Sequence, residues 1–101
     1  MADTVILPCY STPSSNVLWT QNMTNGYFNR IYVNGSIGGN DNIRSHFSVV
    51  NASAGDYSLQ IYNVHPVFSG LYDCYDSNGG RIVGYYLVAI STFLKYALKQ
   101  Q

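Results

Sequence analysis

Two cysteines, Cys9 and Cys74, stand 65 positions apart, and Tyr72 sits two residues before the second. Side chains along a strand alternate between faces with period two, so Tyr72 and Cys74 point the same way, into a core. Gly70, just ahead of them, ends the preceding turn with no side chain to clash. The wide spacing of the cysteines rules out a CxxC metal or redox motif. Two readings remain: a disulfide, which in the chain-entropy account is worth about 4 kcal/mol for such a loop, or two buried thiols.

The rest of the chain reads as strands separated by turns. In Thr4–Tyr10, Val5, Leu7 and Cys9 share one face, and Pro8 on the other suits a sheet edge. Ser11–Ser15 is a Ser/Pro turn, and Asn16–Gln21 follows as a strand with Val17 and Trp19 on one face. Asn25-Gly26 and Asn34-Gly35 bracket Tyr27–Val33, a run rich in strand formers. The Gly/Asn-rich stretch Ser36–Asn42 reads as a loop. Arg44–Val50 directs Phe47 and Val49 inward, and Asp56–Asn63 directs Tyr57, Leu59 and Ile61 inward. Beyond Cys74, Asn78-Gly79 is a hairpin signal that leads into Arg81–Ile90. From Ser91 the alternation fades, and the pairs Phe93/Ala97 and Leu94/Leu98 suit a short helix, either a stem or a tail packed on the domain.

The order Cys9, Trp19, Tyr72, Cys74 resembles strands B, C and F of the immunoglobulin superfamily, and specifically of its variable-type (V-set) domains. The resemblance spans about Asp3 to Ile90. It rests on Asp3–Cys9 as strand B and on Phe47–Val49, Asp56–Ile61 and Ser69–Cys74 as strands D, E and F. It implies an all-β, Greek-key sandwich of two antiparallel sheets, with Cys9 and Cys74 joined and Trp19 packed on the bridge. It further implies a Tyr72 hydroxyl bonded back to the E–F corner, with Leu59 and Ile61 in the core. The stretch between strands C and D is long enough for C′ and C″. On this reading residues 1–91 form the domain and residues 92–101 a stem or tail.

Three features depart from that pattern. Only eight residues precede Cys9, so strand A is expected to be truncated or absent. Many V-set domains close the base of the sandwich with an arginine–aspartate pair. Here Phe68 holds the aspartate position and His46 the arginine position, Arg44 being the alternative, so an apolar contact is expected. Val83-Gly84-Tyr85-Tyr86 replaces the Phe-Gly-x-Gly of antigen-receptor chains, which argues against a rearranged receptor.

Three Asn-x-Ser/Thr sequons, at Asn22, Asn34 and Asn51, agree with a disulfide in placing the chain outside the cell, secreted or at the surface. Met1-Ala2-Asp3 has neither the basic region nor the apolar core of a secretory leader, so the chain reads as an ectodomain segment. No apolar run reaches the roughly 18 residues of a membrane span, so a membrane is reached only through a segment outside this chain. With five basic and five acidic residues, no electrostatic footprint for nucleic acid is present.

No residue constellation points to catalysis, a metal or another cofactor. His46 and His65 are the two histidines, and Asp3, Asp41 and Asp56 lack ligand spacing. V-set domains that bind sialic acid carry an arginine on strand F, whereas Leu71, Asp73 and Tyr75 are the outward positions here. What remains is surface. Leu18, Thr20, Leu71, Asp73 and Tyr75 face outward from strands C and F; depending on register they are joined by Tyr27, Phe28, Ile31 or Tyr32 from C′, with Tyr32 expected, and by Tyr85 and Leu87, or Tyr86 and Val88, from a strand G that is apolar on both faces. Apolar, tyrosine-rich outward positions suit an interface. The expected function is a recognition module of an immune-type receptor or adhesion protein, binding a protein ligand or receptor, or a second copy of itself, through the G-F-C-C′ face. The alternative is a lectin-like module that takes a small ligand in the end loops.

Overall fold

The computed structural model describes residues 4–39, 44–91 and 95–101. In chain order the strands are β1 (Val5–Leu7), β2 (Leu18–Met23), β3 (Phe28–Val33), β4 (Ser36–Ile37), β5 (Phe47–Asn51), β6 (Asp56–Ile61), β7 (Gly70–Tyr75), β8 (Arg81–Ser91) and β9 (Lys95–Gln100). They form two antiparallel sheets, β1-β6-β5 and β4-β3-β2-β7-β8-β9. The chain changes sheet after β1, β4 and β6, which is the Greek-key winding of an immunoglobulin-type sandwich. Strands B, E and D make the small sheet, and C″, C′, C, F and G make most of the large one. Among the described residues no strand precedes β1.

Alternation builds the core as expected. Val5, Leu7, Trp19, Tyr57, Leu59, Ile61, Tyr72 and Cys74 are buried. Cys9 and Cys74 form a disulfide across the two sheets, with their Cα atoms 6.6 Å apart. Trp19 stands directly across the β2–β7 ladder from Cys74, and its indole Nε1 donates to the Tyr57 carbonyl at 2.7 Å. With that carbonyl engaged, the Cys9 N–H donates to the Ser58 hydroxyl instead, at 3.2 Å. The Tyr57 N–H donates to the Cys9 carbonyl, so by alternation the main-chain groups of Pro8 point away from β6. Proline therefore removes a donor at a sheet edge, where it costs no ladder bond.

The E–F corner is fixed from inside. Tyr72 donates its hydroxyl proton to the Phe68 carbonyl at 2.5 Å and accepts from Gln21 Nε2 at 2.8 Å. Gln21 is fully buried, and its Oε1 accepts from Asn29 Nδ2 at 3.0 Å. At the base, the His46 ring meets Phe68 edge-on at 4.9 Å and Phe47 lies 5.7 Å from Phe68, so rings close the position that an ion pair would otherwise hold.

Three expectations change. The helix expected after Ser91 gives way to β9, which pairs with β8 from Tyr85↔Gln100 to Ser91↔Lys95, while residues 92–94 lie outside the described residues. An isolated helix this short has little intrinsic stability, whereas the open edge of β8 offers a full row of backbone hydrogen bonds. Tyr32, expected on the outer face, is buried in the core against Tyr57. The cause is a bulge: the β2–β3 register slips between Trp19↔Tyr32 and Thr20↔Arg30, so Ile31 and Tyr32 are both buried in succession. Tyr85, also expected outside, points inward. Its ring stacks on Trp19 at 6.4 Å and its hydroxyl donates to the Pro8 carbonyl at 2.6 Å. Burial raises the phenol pKa of both residues, with Tyr57 adding to the effect at Tyr32 and Tyr10 at Tyr85.

Candidate partner-binding face

The outer face of the large sheet is a ladder of cross-strand rows, because directly opposed residues share a side of the sheet. One row runs Phe28, Asn22, Leu71, Tyr86, Lys99. The next runs Arg30, Thr20, Asp73, Gly84, and a third pairs Leu18 with Tyr75. The structure thus brings Leu18, Thr20, Leu71, Asp73, Tyr75 and Tyr86 together on one surface. Leu18, Leu71 and Tyr75 are half-buried; Phe28 and Tyr86 are 55% and 40% exposed.

The middle row is polar. Arg81 donates to Asp73 Oδ1 at 3.2 Å and to Gln101 Oε1 at 3.3 Å. Its guanidinium lies where a side chain at 84 would stand, since a Cβ there would collide with Asp73 Oδ1 and come within 2.9 Å of Arg81 Nη1. Glycine at 84 therefore lets β8 carry a neutralised ion pair flat on the sheet. An exposed pair of this kind is worth about 0–1 kcal/mol, so its effect is on surface shape and charge more than on stability.

At one end the face dips into a cleft of about 560 Å³. Leu18, Thr20, Phe28, Arg30 and Tyr75 line it from the sheet, and the β1–β2, β3–β4 and β7–β8 connections supply its rim. Asp76 in the rim is committed to its own turn, its Oδ1 accepting the N–H groups of Asn78 and Gly80 at 3.1 and 3.0 Å. Reading strands alone missed Arg30 as a site residue. Its place one alternation from Phe28 on β3 was the available signal.

The sequons fall at informative places. Asn22 is exposed in the Phe28–Leu71 row, Asn34 sits on the cleft rim in a left-handed turn (φ 52°), and Asn51 ends β5 on the other sheet. Among the described residues no group of three His, Cys, Asp or Glu side chains could hold a metal ion. His46 Nδ1 lies 2.8 Å from the Tyr62 carbonyl, and His65 Nδ1 accepts the Val67 N–H.

No protein-family model matches the chain, and no curated protein does. Its structure is similar to the crystal structure of human T-cell immunoglobulin and mucin domain protein 1, with a TM-score of 0.49 and 18% identity over 98% of this chain and 85% of that one.

Proposed function

We propose that this chain is a non-catalytic recognition module, of the V-set kind, that works outside the cell and binds a protein partner through the outer face of β3, β2, β7 and β8. The observation that carries the reading is the face itself. A solvated antiparallel sheet ordinarily turns polar residues to water. This one turns out Phe28, Leu18, Leu71, Tyr75 and Tyr86, and its Asp73–Arg81 charges are already matched. Interfaces are enriched in such aromatic residues, and truncating central tyrosines typically has the largest effect on binding. A second copy of the chain is a candidate partner, since an isologous pair would set the same patch against itself and four strands can supply roughly 800 Å² per partner. The cleft favours a second reading, a lectin-like module whose end loops hold a small ligand.

Sedimentation of the unglycosylated domain over a concentration series tests self-association. A dimer weakened by Leu18→Asp and by Tyr75→Ala is the expected result. A monomer throughout removes the second copy as partner, and a dimer indifferent to both substitutions moves the interface off this face. Glycan arrays set against a protein-ligand screen separate the two readings.

A further inference from the structure

Arg30 and Arg81 are the arginines of the outer face, and they are treated differently. Arg81 has Asp73 at 3.2 Å. Arg30 is exposed, and among the described residues no carboxylate lies within ion-pair distance of it. It is also set in a concavity. Directly opposite in the β2–β3 ladder stands Thr20, only 8% exposed, and both residues line the same cleft. Around them stand Leu18, Phe28 and Tyr75. An arginine on open surface is simply hydrated. One in a concave, partly apolar cleft is a half-made ion pair, whose fork of donors suits a carboxylate.

We propose that the cleft receives an acidic side chain of the partner protein, its carboxylate on Arg30 and Thr20, with an adjoining apolar side chain against Phe28, Leu18 and Tyr75. This rests on the partner-binding reading of the face and adds a chemical requirement to it: the partner presents a glutamate or aspartate beside an apolar residue. The flanking aromatic surface supplies contact, and the charge sets orientation. Asp76 does not fill the role from within, because its carboxylate is held by its own turn.

The test uses two blocked dipeptides, acetyl-Glu-Phe-amide and acetyl-Gln-Phe-amide, titrated into isotope-labelled unglycosylated domain and followed by NMR. The glutamate peptide should shift the Leu18, Thr20 and Tyr75 amides and the Arg30 Nε–H. It should bind about five-fold tighter than its glutamine counterpart at low ionic strength. That preference should vanish in Arg30→Met, survive in part in Arg30→Lys, and shrink in about 0.5 M salt. Equal binding of the two peptides, shifts located elsewhere, or no binding by either would overturn the proposal. None of those outcomes bears on sedimentation of Leu18→Asp and Tyr75→Ala, so this inference and the reading beneath it fail separately.

Discussion

Replacing Tyr72 with phenylalanine removes one oxygen from the interior and leaves the ring in place. That oxygen makes two hydrogen bonds, to the Phe68 carbonyl and from Gln21 Nε2, and both Tyr72 and Gln21 are fully buried. The variant forfeits both bonds and strands their partners away from water, which together should cost about 2–4 kcal/mol. Against a total stability of about 5–15 kcal/mol this is a large fraction. With a urea m-value of about 1–1.5 kcal/mol/M for a domain of this size, the unfolding midpoint should fall by about 2 M. Adding Gln21→Met should cost less than the sum of the single changes, because removing both partners leaves fewer stranded groups. The alkaline branch gives an independent check. Burial holds the Tyr72 phenol well above its ordinary pKa of 10.0, the Gln21 hydrogen bond opposing only in part. Above pH 10 the unfolded chain loses a proton that the folded one keeps, so stability falls by up to about 1.4 kcal/mol per pH unit from this residue. Tyr32 and Tyr85 add to the loss in the same direction. Urea unfolding of the oxidised protein at neutral pH and at pH values above 10 reads both effects. A midpoint shift under about 0.5 M, or an alkaline slope unchanged in Tyr72→Phe, would refute the corner as a buried, coupled pair.

Reducing the Cys9–Cys74 bridge, or replacing both cysteines with alanine, should lower stability by about 4 kcal/mol, read as a fall in Tm or urea midpoint; an unchanged midpoint would mean that the bridge constrains little in the unfolded chain. Expression in a secretory cell should load glycan on Asn22, Asn34 or Asn51, all exposed, and peptide mapping that finds all three bare would count against the extracellular assignment. Occupancy at Asn22 should also suppress self-association, since that side chain stands between Phe28 and Leu71 on the proposed interface, and Asn22→Gln should restore it in the sedimentation experiment.

What was legible in the sequence followed from strict alternation and from residues with one physical role. Odd-numbered positions from Val5 to Cys9 and from Tyr57 to Ile61 face the core because nothing interrupts the period. Likewise Phe68, with His46 or Arg44 at the partner position, announced an apolar contact in place of an ion pair, and the structure makes it between the rings of Phe68 and His46. Alternation fails where an extra residue enters. The Ile31 bulge reversed the sense of Tyr32, and no feature of Arg30-Ile31-Tyr32-Val33 marks which residue is the insertion. Strand β8 offered no contrast, since Tyr85 and Tyr86 are chemically alike, and only the indole of Trp19 and the carbonyl of Pro8 decide that Tyr85 goes inside. Gln21 escaped notice for the opposite reason. A buried amide looks like surface until its partners Tyr72 and Asn29 are seen around it, although it shares parity with Trp19. The cleft was equally hidden, because three separate turns build its rim.

Strand β9 also decides how the molecule can be held. It runs antiparallel to β8, back toward the β7–β8 turn, and the Gln101 N–H donates to the Gly84 carbonyl at 2.8 Å. The last residue therefore lies at the end of the sandwich that bears the cleft. Thr4 lies at the other end, because β1 runs from Val5 toward the β1–β2 turn on the cleft rim. A sensor surface that captures the protein by its carboxyl end would turn the cleft toward the matrix and crowd its approach. Capture by the amino end would present the cleft outward, so the point of attachment is itself a variable in any binding measurement on this domain.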